Sequence, residues 1–328
     1  MTPKSAVLAA LDQARRVLIV MHASPDGDSA GSAVALGLAL RRLGRIVTWV
    51  VADQVPERLG FLPEVSSVRT WNDIELDDFD TVVAVDCGAA SRMGAPESLW
   101  SHCSAHQIPL INIDHHSKNP QFGTVNWVEA QMSSTGEMVG ELVREAGWGI
   151  TAEEALCLYT AISTDTLSFR QVNTTPQTLS TAHWLVQESG LKLAEANRLI
   201  WESRSASELR FLGWAFRHVL FSADGRFAWL SVPRTAMEEY AVDDAGVDTV
   251  VHHLMSVDSV EVAFLAREGA DGQQVKVSWR GRSPWNAAEL AACFGGGGHE
   301  YAAAAVVSGS LDEVVAAVCR ELSPDAHV

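Results

Sequence analysis

The segment His22-Ala23-Ser24-Pro25-Asp26-Gly27-Asp28 places an imidazole and two carboxylates in one turn, directly after the apolar run 17–21 and before a helical pattern. Hard oxygen ligands beside an imidazole suit Mn²⁺, Mg²⁺ or a similar divalent ion. Alone, the segment is equally compatible with an Asp-Gly turn and a helix cap. Three further segments repeat the arrangement. Asp86 ends the run 81–85, Asp114-His115-His116 ends the run that reaches Ile113, and Asp165 follows a helical pattern in Ser163-Thr164-Asp165-Thr166. Convergence of such strand-end groups is hard to assign to turns. Packed carboxylates repel unless cations neutralise them, so a shared site implies raised pKa values or bound metals. Two adjacent divalent ions would grip a phosphoryl group, lower the pKa of a bridging water to give hydroxide, and stabilise the leaving oxygen. That is the chemistry of phosphoester hydrolysis.

Placing these groups together falls to a βαβ rhythm: β-type runs at 17–21, 46–51, 81–85 and 108–113, with a helical pattern at 30–43. This predicts an α/β fold with a parallel sheet covered by helices, whose ligands bind beyond the carboxyl ends of the strands. The pattern is then mainly helical, at 135–146, 152–163, 175–189 and 191–203. Strand-like runs return at 227–232, 260–266 and 275–279, followed by a helical stretch, a glycine run and a last helix near 311–322. The expected organisation is a metal-binding domain at 1–190, a helical linker at 191–209 and a smaller α/β domain at 210–328.

Composition narrows the function. A chain of 328 residues exceeds one typical domain, and 47% hydrophobic with 20% charged residues matches a packed protein. With 24 Lys+Arg against 41 Asp+Glu, the net charge of −17 repels polyanions at long range and argues against a long-duplex binder. Short nucleotides remain in play, because bound cations or a few arginines can reverse the field locally. Five cysteines without C-x-x-C spacing fit neither a disulfide framework nor a zinc ribbon, and no apolar run is long enough to span a bilayer. A cytoplasmic, non-membrane protein is expected. His102 and His106 have helical i,i+4 spacing without the Glu of an H-E-x-x-H motif, and read as a solvated helix face. His252-His253 lacks a preceding Asp and is set aside as a metal site.

Together, His22-x-x-x-Asp26-x-Asp28, Val85-Asp86-Cys87-Gly88, Asp114-His115-His116 and Thr164-Asp165-Thr166 resemble, in order and position, the motifs of the DHH phosphoesterase family. Gly295-Gly296-Gly297-Gly298-His299 resembles the glycine-rich signature of the accompanying DHHA1 domain, so the resemblance covers nearly the whole chain. It implies an active site in the cleft between an N-terminal DHH domain and a smaller C-terminal DHHA1 domain. It further implies two Mn²⁺ ions, with Mg²⁺ or Co²⁺ as substitutes: His22 and Asp26 on one, Asp28, His115 and Asp165 on the other, and Asp86 bridging. His116 would contact the phosphate or protonate the leaving oxygen, and Asp114 would orient a histidine. Substrate would meet Gly296, Gly297, Gly298, His299 and Arg280, with Arg170 on the metal side. Two departures from the pattern bear on substrate fit: Leu167 stands where the family often has glycine, and Ala302-Ala303-Ala304-Ala305 replaces an Ala-Ala-Gly ending.

The activity this implies is manganese-dependent hydrolysis of short oligoribonucleotides to 5′-mononucleotides, with dephosphorylation of 3′-phosphoadenosine 5′-phosphate to AMP. Cyclic dinucleotide hydrolysis, as of cyclic di-AMP, is the alternative. A pyrophosphatase, a RecJ-like processive exonuclease and a catalytically silent nucleotide sensor rank lower. Short oligoribonucleotides or nucleotides are the expected partners, and a homodimer is compatible with them.

Overall fold

Runs such as Val17-Leu18-Ile19-Val20 are apolar at every position, which suits a strand covered on both faces rather than one with a wet side. The computed structural model describes residues 2–322; the side chains of Ala245 and His299 lie outside the described residues. The chain divides into two units, Met1–Ser203 and Arg204–Val328.

In the first unit, helix α1 (Pro3–Gln13) leads into β1 (Arg16–Val20), α2 (Gly27–Arg42), β2 (Ile46–Val51), β3 (Arg69–Thr70) and β4 (Thr81–Val85). Helix α3 (Ser98–Ala105), β5 (Leu110–Asp114) and β6 (Val125–Val128) follow, then α4 (Thr135–Glu145), α5 (Ala152–Asp165), α6 (Pro176–Ser189) and α7 (Leu193–Trp201). The strands form one parallel sheet in the order β3-β2-β1-β4-β5-β6. The order reverses between β1 and β4, the position where open α/β sheets leave a crevice for ligands. Both sheet faces are buried. Val17 and Ile19 pack with residues of α2 and α5, while Leu18, Val20 and Val82 pack with Leu99 and Cys103 of α3.

Two differences from the sequence expectation have local causes. Helix α2 begins at Gly27 rather than near residue 30, because the Asp26 side chain accepts the Asp28 and Ser29 N–H groups and starts the helix inside the segment His22–Asp28. The stretch expected as a linker, 191–209, falls across the division. Helix α7 is held to α5 by the Trp201 indole donating to Ser163 Oγ at 3.0 Å and by Tyr159 OH donating to Asn197 Oδ1 at 3.1 Å.

The second unit comprises α8 (Ala206–His218), β7 (Leu220–Phe221), β8 (Phe227–Val232), α9 (Arg234–Tyr240), α10 (Asp244–Asp248), α11 (Val251–Leu254) and β9 (Val262–Glu268). It continues through β10 (Gln274–Gly281), α12 (Ala287–Cys293), β11 (Gly297–His299), β12 (Ala302–Ser308) and α13 (Leu311–Leu322). Its sheet, ordered β11-β12-β10-β9-β8-β7, is antiparallel except for the β8–β9 pair. The glycine run is therefore partly an edge strand and not only a loop. Gly298 has φ +148°, and a Cβ there would sit 2.6 Å from the Ala302 carbonyl oxygen, so close pairing with β12 itself requires glycine.

Candidate metal centre

The acids and histidines of the first unit gather at the carboxyl ends of β1, β4 and β5, three neighbouring strands at the order reversal. His22 follows β1; its N–H donates to Ser29 Oγ at 3.0 Å, and its Nδ1 lies 2.8 Å from the Ala23 carbonyl oxygen. That leaves Nε2 turned inward, 3.7 Å from Asp26 Oδ1 and 3.5 Å from Asp86 Oδ2. His115 Nε2 lies 3.7 Å from Asp28 Oδ2, 3.6 Å from Asp86 Oδ1 and 3.3 Å from Asp165 Oδ2. Two triads result, His22–Asp26–Asp86 and Asp28–His115–Asp165, each with ligand atoms within 4.8 Å of one another, and His116 forms a third such grouping with Asp86 and His115, its Nδ1 3.7 Å from Asp86 Oδ1. The two oxygens of Asp86 face opposite triads.

Local structure explains why each group points this way. Asp86 sits at φ +57°, a left-handed conformation that Asp tolerates better than most residues, and its N–H donates to the Ile113 carbonyl. Thr135 Oγ1 donates to Asp86 Oδ1 at 3.2 Å. Asp28 is fully buried at the N-terminus of α4, accepting the Thr135 N–H at 2.7 Å and the Gly136 N–H at 2.8 Å, where unpaired amide donors favour an anion. Asp165 is the last residue of α5. Asp114 points elsewhere: Oδ1 lies 2.7 Å from His116 Nδ1, and Oδ2 accepts from Asn119 Nδ2 at 2.6 Å. It orients His116 and directs its Nε2 away from Asp114.

Protonation reports crowded negative charge. Burial acts against a charged His22, yet Asp26 and Asp86 raise its pKa to about 10. Burial, and then neighbouring carboxylates, push Asp28 and Asp165 well above the usual carboxylate range. Burial also holds His115 below its ordinary value. His116 is raised to about 9, because the Asp114 hydrogen bond and nearby acids outweigh its burial. Against burial, hydrogen bonds and the charge of His22 lower Asp26, and those of His116 lower Asp114. Crowding of this kind is relieved by protons or by divalent cations, and the donor set of imidazoles and carboxylates fits such ions.

Arg170 is exposed on the turn after Asp165, with Nε donating to the Leu167 carbonyl at 2.7 Å. Leu167, Ser168 and Phe169 have φ of +46°, +59° and +63°, three left-handed residues in succession. In the second unit, Arg280 Nη1 donates to the Trp279 carbonyl at 2.8 Å, and Nη2 lies 3.3 Å from His252 Nε2. Burial lowers the Arg280 pKa to about 10, against the charge of Asp248, so it stays cationic at neutral pH. The register aligns Arg280 with Ala302 and Ala302 with His299, a row across three adjacent strands with a small residue in the middle. Gly297 and Gly298 lie on the same edge strand as His299, and Gly296 immediately precedes it.

Sequence reasoning missed several groups. Thr135 and Gly136 supply amides, Asn119 holds Asp114, and Arg92 places Nη2 3.1 Å from His22 Nδ1. The first pair had a signal: Ser134-x-x-Glu137 ahead of an apolar run marks a helix N-terminus, and Ser134 Oγ does accept the Glu137 N–H. Asn119 and Arg92 reach the site only through tertiary placement.

Comparison with known proteins follows the same division. Residues 16–162 match the DHH family N-terminal domain and residues 229–323 the DHHA1 domain. The chain is 35% identical over 313 residues to a bifunctional oligoribonuclease and PAP phosphatase, NrnA, from Thermus thermophilus, covering 94% of this chain and 90% of that one. A protein of the same description from Bacillus subtilis is 24% identical, with 89% of each chain covered. The crystal structure of an exopolyphosphatase-related protein from Bacteroides fragilis superposes with a TM-score of 0.87 at 24% identity, covering 97% of this chain and 94% of that one. At that identity the likeness establishes the fold.

Proposed function

The chain belongs to the DHH family and is a phosphoester hydrolase; from that premise we propose that it hydrolyses short oligoribonucleotides to 5′-mononucleotides and dephosphorylates 3′-phosphoadenosine 5′-phosphate to AMP, with manganese bound. The placement of Asp86 between the two triads carries this reading, and the similarity to the Thermus thermophilus enzyme over nearly its whole length directs the choice of substrate.

The two activities share one bond. Releasing a 5′-mononucleotide leaves the phosphate on the 5′ side, so the bond that breaks is between phosphorus and a ribose 3′-oxygen. Removing the 3′-phosphate of 3′-phosphoadenosine 5′-phosphate breaks the same kind of bond. In both, a water oxygen joins phosphorus and the departing 3′-oxygen takes a proton, so one arrangement of groups serves both.

In this reading His22, Asp26 and Asp86 would hold one ion, and Asp28, His115 and Asp165, together with Asp86, would hold the other. Bound there, divalent ions supply Lewis acidity toward the phosphoryl oxygens and make water more acidic. His116 is placed as the general acid. Its Nδ1 is committed to Asp114, a hydrogen bond that favours the protonated imidazole, and its ring is part-exposed, which suits donation of a proton to the 3′-oxygen. Arg170, and in the second unit Arg280 with Gly296, Gly297, Gly298 and His299, are assigned to the substrate's phosphates and nucleoside.

The test is a panel of linear diadenylate, a five-nucleotide RNA, cyclic di-AMP, 3′-phosphoadenosine 5′-phosphate and pyrophosphate, each incubated with and without Mn²⁺ and resolved by chromatography. Cleavage of diadenylate and 3′-phosphoadenosine 5′-phosphate ahead of the others is expected. Cyclic di-AMP opened faster than diadenylate is cleaved would overturn the substrate assignment. Asp86→Ala removes a group from both triads and should cost at least roughly 10⁴-fold in kcat/KM, the scale seen when one member of an interdependent set is lost. Near-normal turnover by that variant would reject the bridging role.

A further inference from the structure

The crossover geometry of the first sheet brings a second set of metal-ligating side chains together, away from the acid-rich cluster. His22, Asp86 and Asp114 lie at carboxyl ends of strands, whereas Asp77 lies just before the start of β4. Helix α3 returns from the carboxyl edge toward the start of β5, so its end reaches the same edge as Asp77. His102 is in its last turn and His106 closes it.

We propose that Asp77, His102 and His106 form a separate site for a divalent transition ion of the zinc class. One ligand atom from each lies within 4.8 Å of the others. The two imidazoles, at i,i+4 on one helix face, have ring centroids 4.5 Å apart. His102 is not the solvated residue its sequence spacing suggests. Its side chain is 16% exposed, and Nε2 is buried, 3.8 Å from Asp77 Oδ1. That nitrogen has no hydrogen-bond partner among the described residues. A buried imidazole nitrogen without a partner is costly, and an ion held between it and the carboxylate removes the cost. Asp77 and His102 both line a cavity of about 340 Å³, together with Glu75, Ser98 and Trp71.

Two imidazoles and one carboxylate favour zinc-class ions, whereas the His22–Asp26–Asp86 and Asp28–His115–Asp165 triads of the acid-rich centre each offer one imidazole and two carboxylates, better suited to manganese or magnesium; the Asp86–His115–His116 grouping there shares the zinc-class donor set, so place in the fold, rather than donor set alone, separates the two sites. Asp77 lies in the connection between β3 and β4, so the ion would fasten that connection to α3.

Calorimetric titration with Zn²⁺ tests this in a His22→Ala/His115→Ala/His116→Ala background, which removes the nitrogen ligands of the acid-rich centre. One equivalent of Zn²⁺ is expected, and Asp77→Asn with His106→Gln should weaken it by more than about tenfold. Should the background chain fail to fold, the same pair of substitutions in the wild-type chain should remove one equivalent from total Zn²⁺ uptake and leave Mn²⁺-dependent turnover unchanged. Absence of Zn²⁺ uptake in the folded background chain overturns the proposal, as does uptake that the Asp77 and His106 substitutions leave unaltered. Because binding is read directly, failure here is separable from failure of the substrate panel.

Discussion

His116 shows how one residue's role is set by its neighbours. Adjacent to His115 in sequence, it differs in its closest partner: Asp114 takes its Nδ1 at 2.7 Å, with Asp86 Oδ1 farther off at 3.7 Å, while His115 turns Nε2 toward Asp28, Asp86 and Asp165. His116→Asn should therefore lower kcat by about 10²–10⁴-fold while two ions still bind. Measured metal stoichiometry beside turnover checks it, and loss of an ion would mean that His116 is a ligand instead. Leu167 gives a second prediction at this scale. Its φ of +46° strains a branched side chain, so Leu167→Gly should change stability by less than about 1 kcal/mol, as relief of strain offsets the greater freedom of glycine in the unfolded chain. Leu167→Val should be the more destabilising of the two, because branching at Cβ is least compatible with positive φ. Denaturant unfolding of both variants orders them. The types of these residues were legible in the sequence, but the strained turn was not, since nothing in Thr166-Leu167-Ser168-Phe169 marks a left-handed run.

Among the elements, α2 and α5 position the centre, because Asp28 opens the first and Asp165 ends the second. They approach closely through small residues. A Cβ on Gly31 would meet the Cys157 carbonyl oxygen at 2.4 Å, a backbone atom that cannot swing aside. Gly31→Val should destabilise the protein by about 1–3 kcal/mol, the usual cost of overpacking, and weaken metal uptake because it separates Asp28 from Asp165. Thermal unfolding and metal titration of the variant check both parts; unchanged metal affinity would show that the helices are not what sets the spacing. Most of the central strands and the helices α2, α4, α5, α6, α7 and α13 were readable from apolar periodicity, whereas α1, α3, α8 and the alanine-rich β12 (Ala302–Ser308) were not. The short strands β3, β6 and β11 were not, because so few residues carry no period and their pairing comes from partners distant in sequence.

For the molecule as a whole, proton linkage predicts how metal-free stability depends on pH. His22 is raised above its ordinary value, so its stabilising pairing is complete below about 6.5 and is lost as pH rises through about 10. Asp28 and Asp165 are raised too; the folded state holds their protons longer, and stability falls as pH climbs from the ordinary carboxylate value through theirs. Asp26 and Asp114 are lowered, so their contribution is present above the ordinary carboxylate value and is lost only in acid. Between about pH 6 and pH 8.5 the metal-free protein should therefore lose Tm, and the Mn²⁺-induced rise in Tm should grow, because ions displace protons. Thermal unfolding in chelator and in Mn²⁺ at both pH values decides it. A Mn²⁺ effect that shrinks with pH would contradict proton displacement.

By itself the sequence determined the types of the candidate ligands, their placement at the ends of strands and helices, and the family, because short motifs hold groups at fixed offsets and apolar periodicity locates the elements that precede them. Tertiary structure alone decided which groups share a site. The parallel order β1-β4-β5 brings residues as distant as His22, Asp86 and His115 to one edge, the α4 N-terminus fixes Asp28, and the return of α3 carries His102 and His106 to Asp77. Convergence of this kind depends on strand order and crossover direction, which are properties of the folded chain and are not written in any local run of residues.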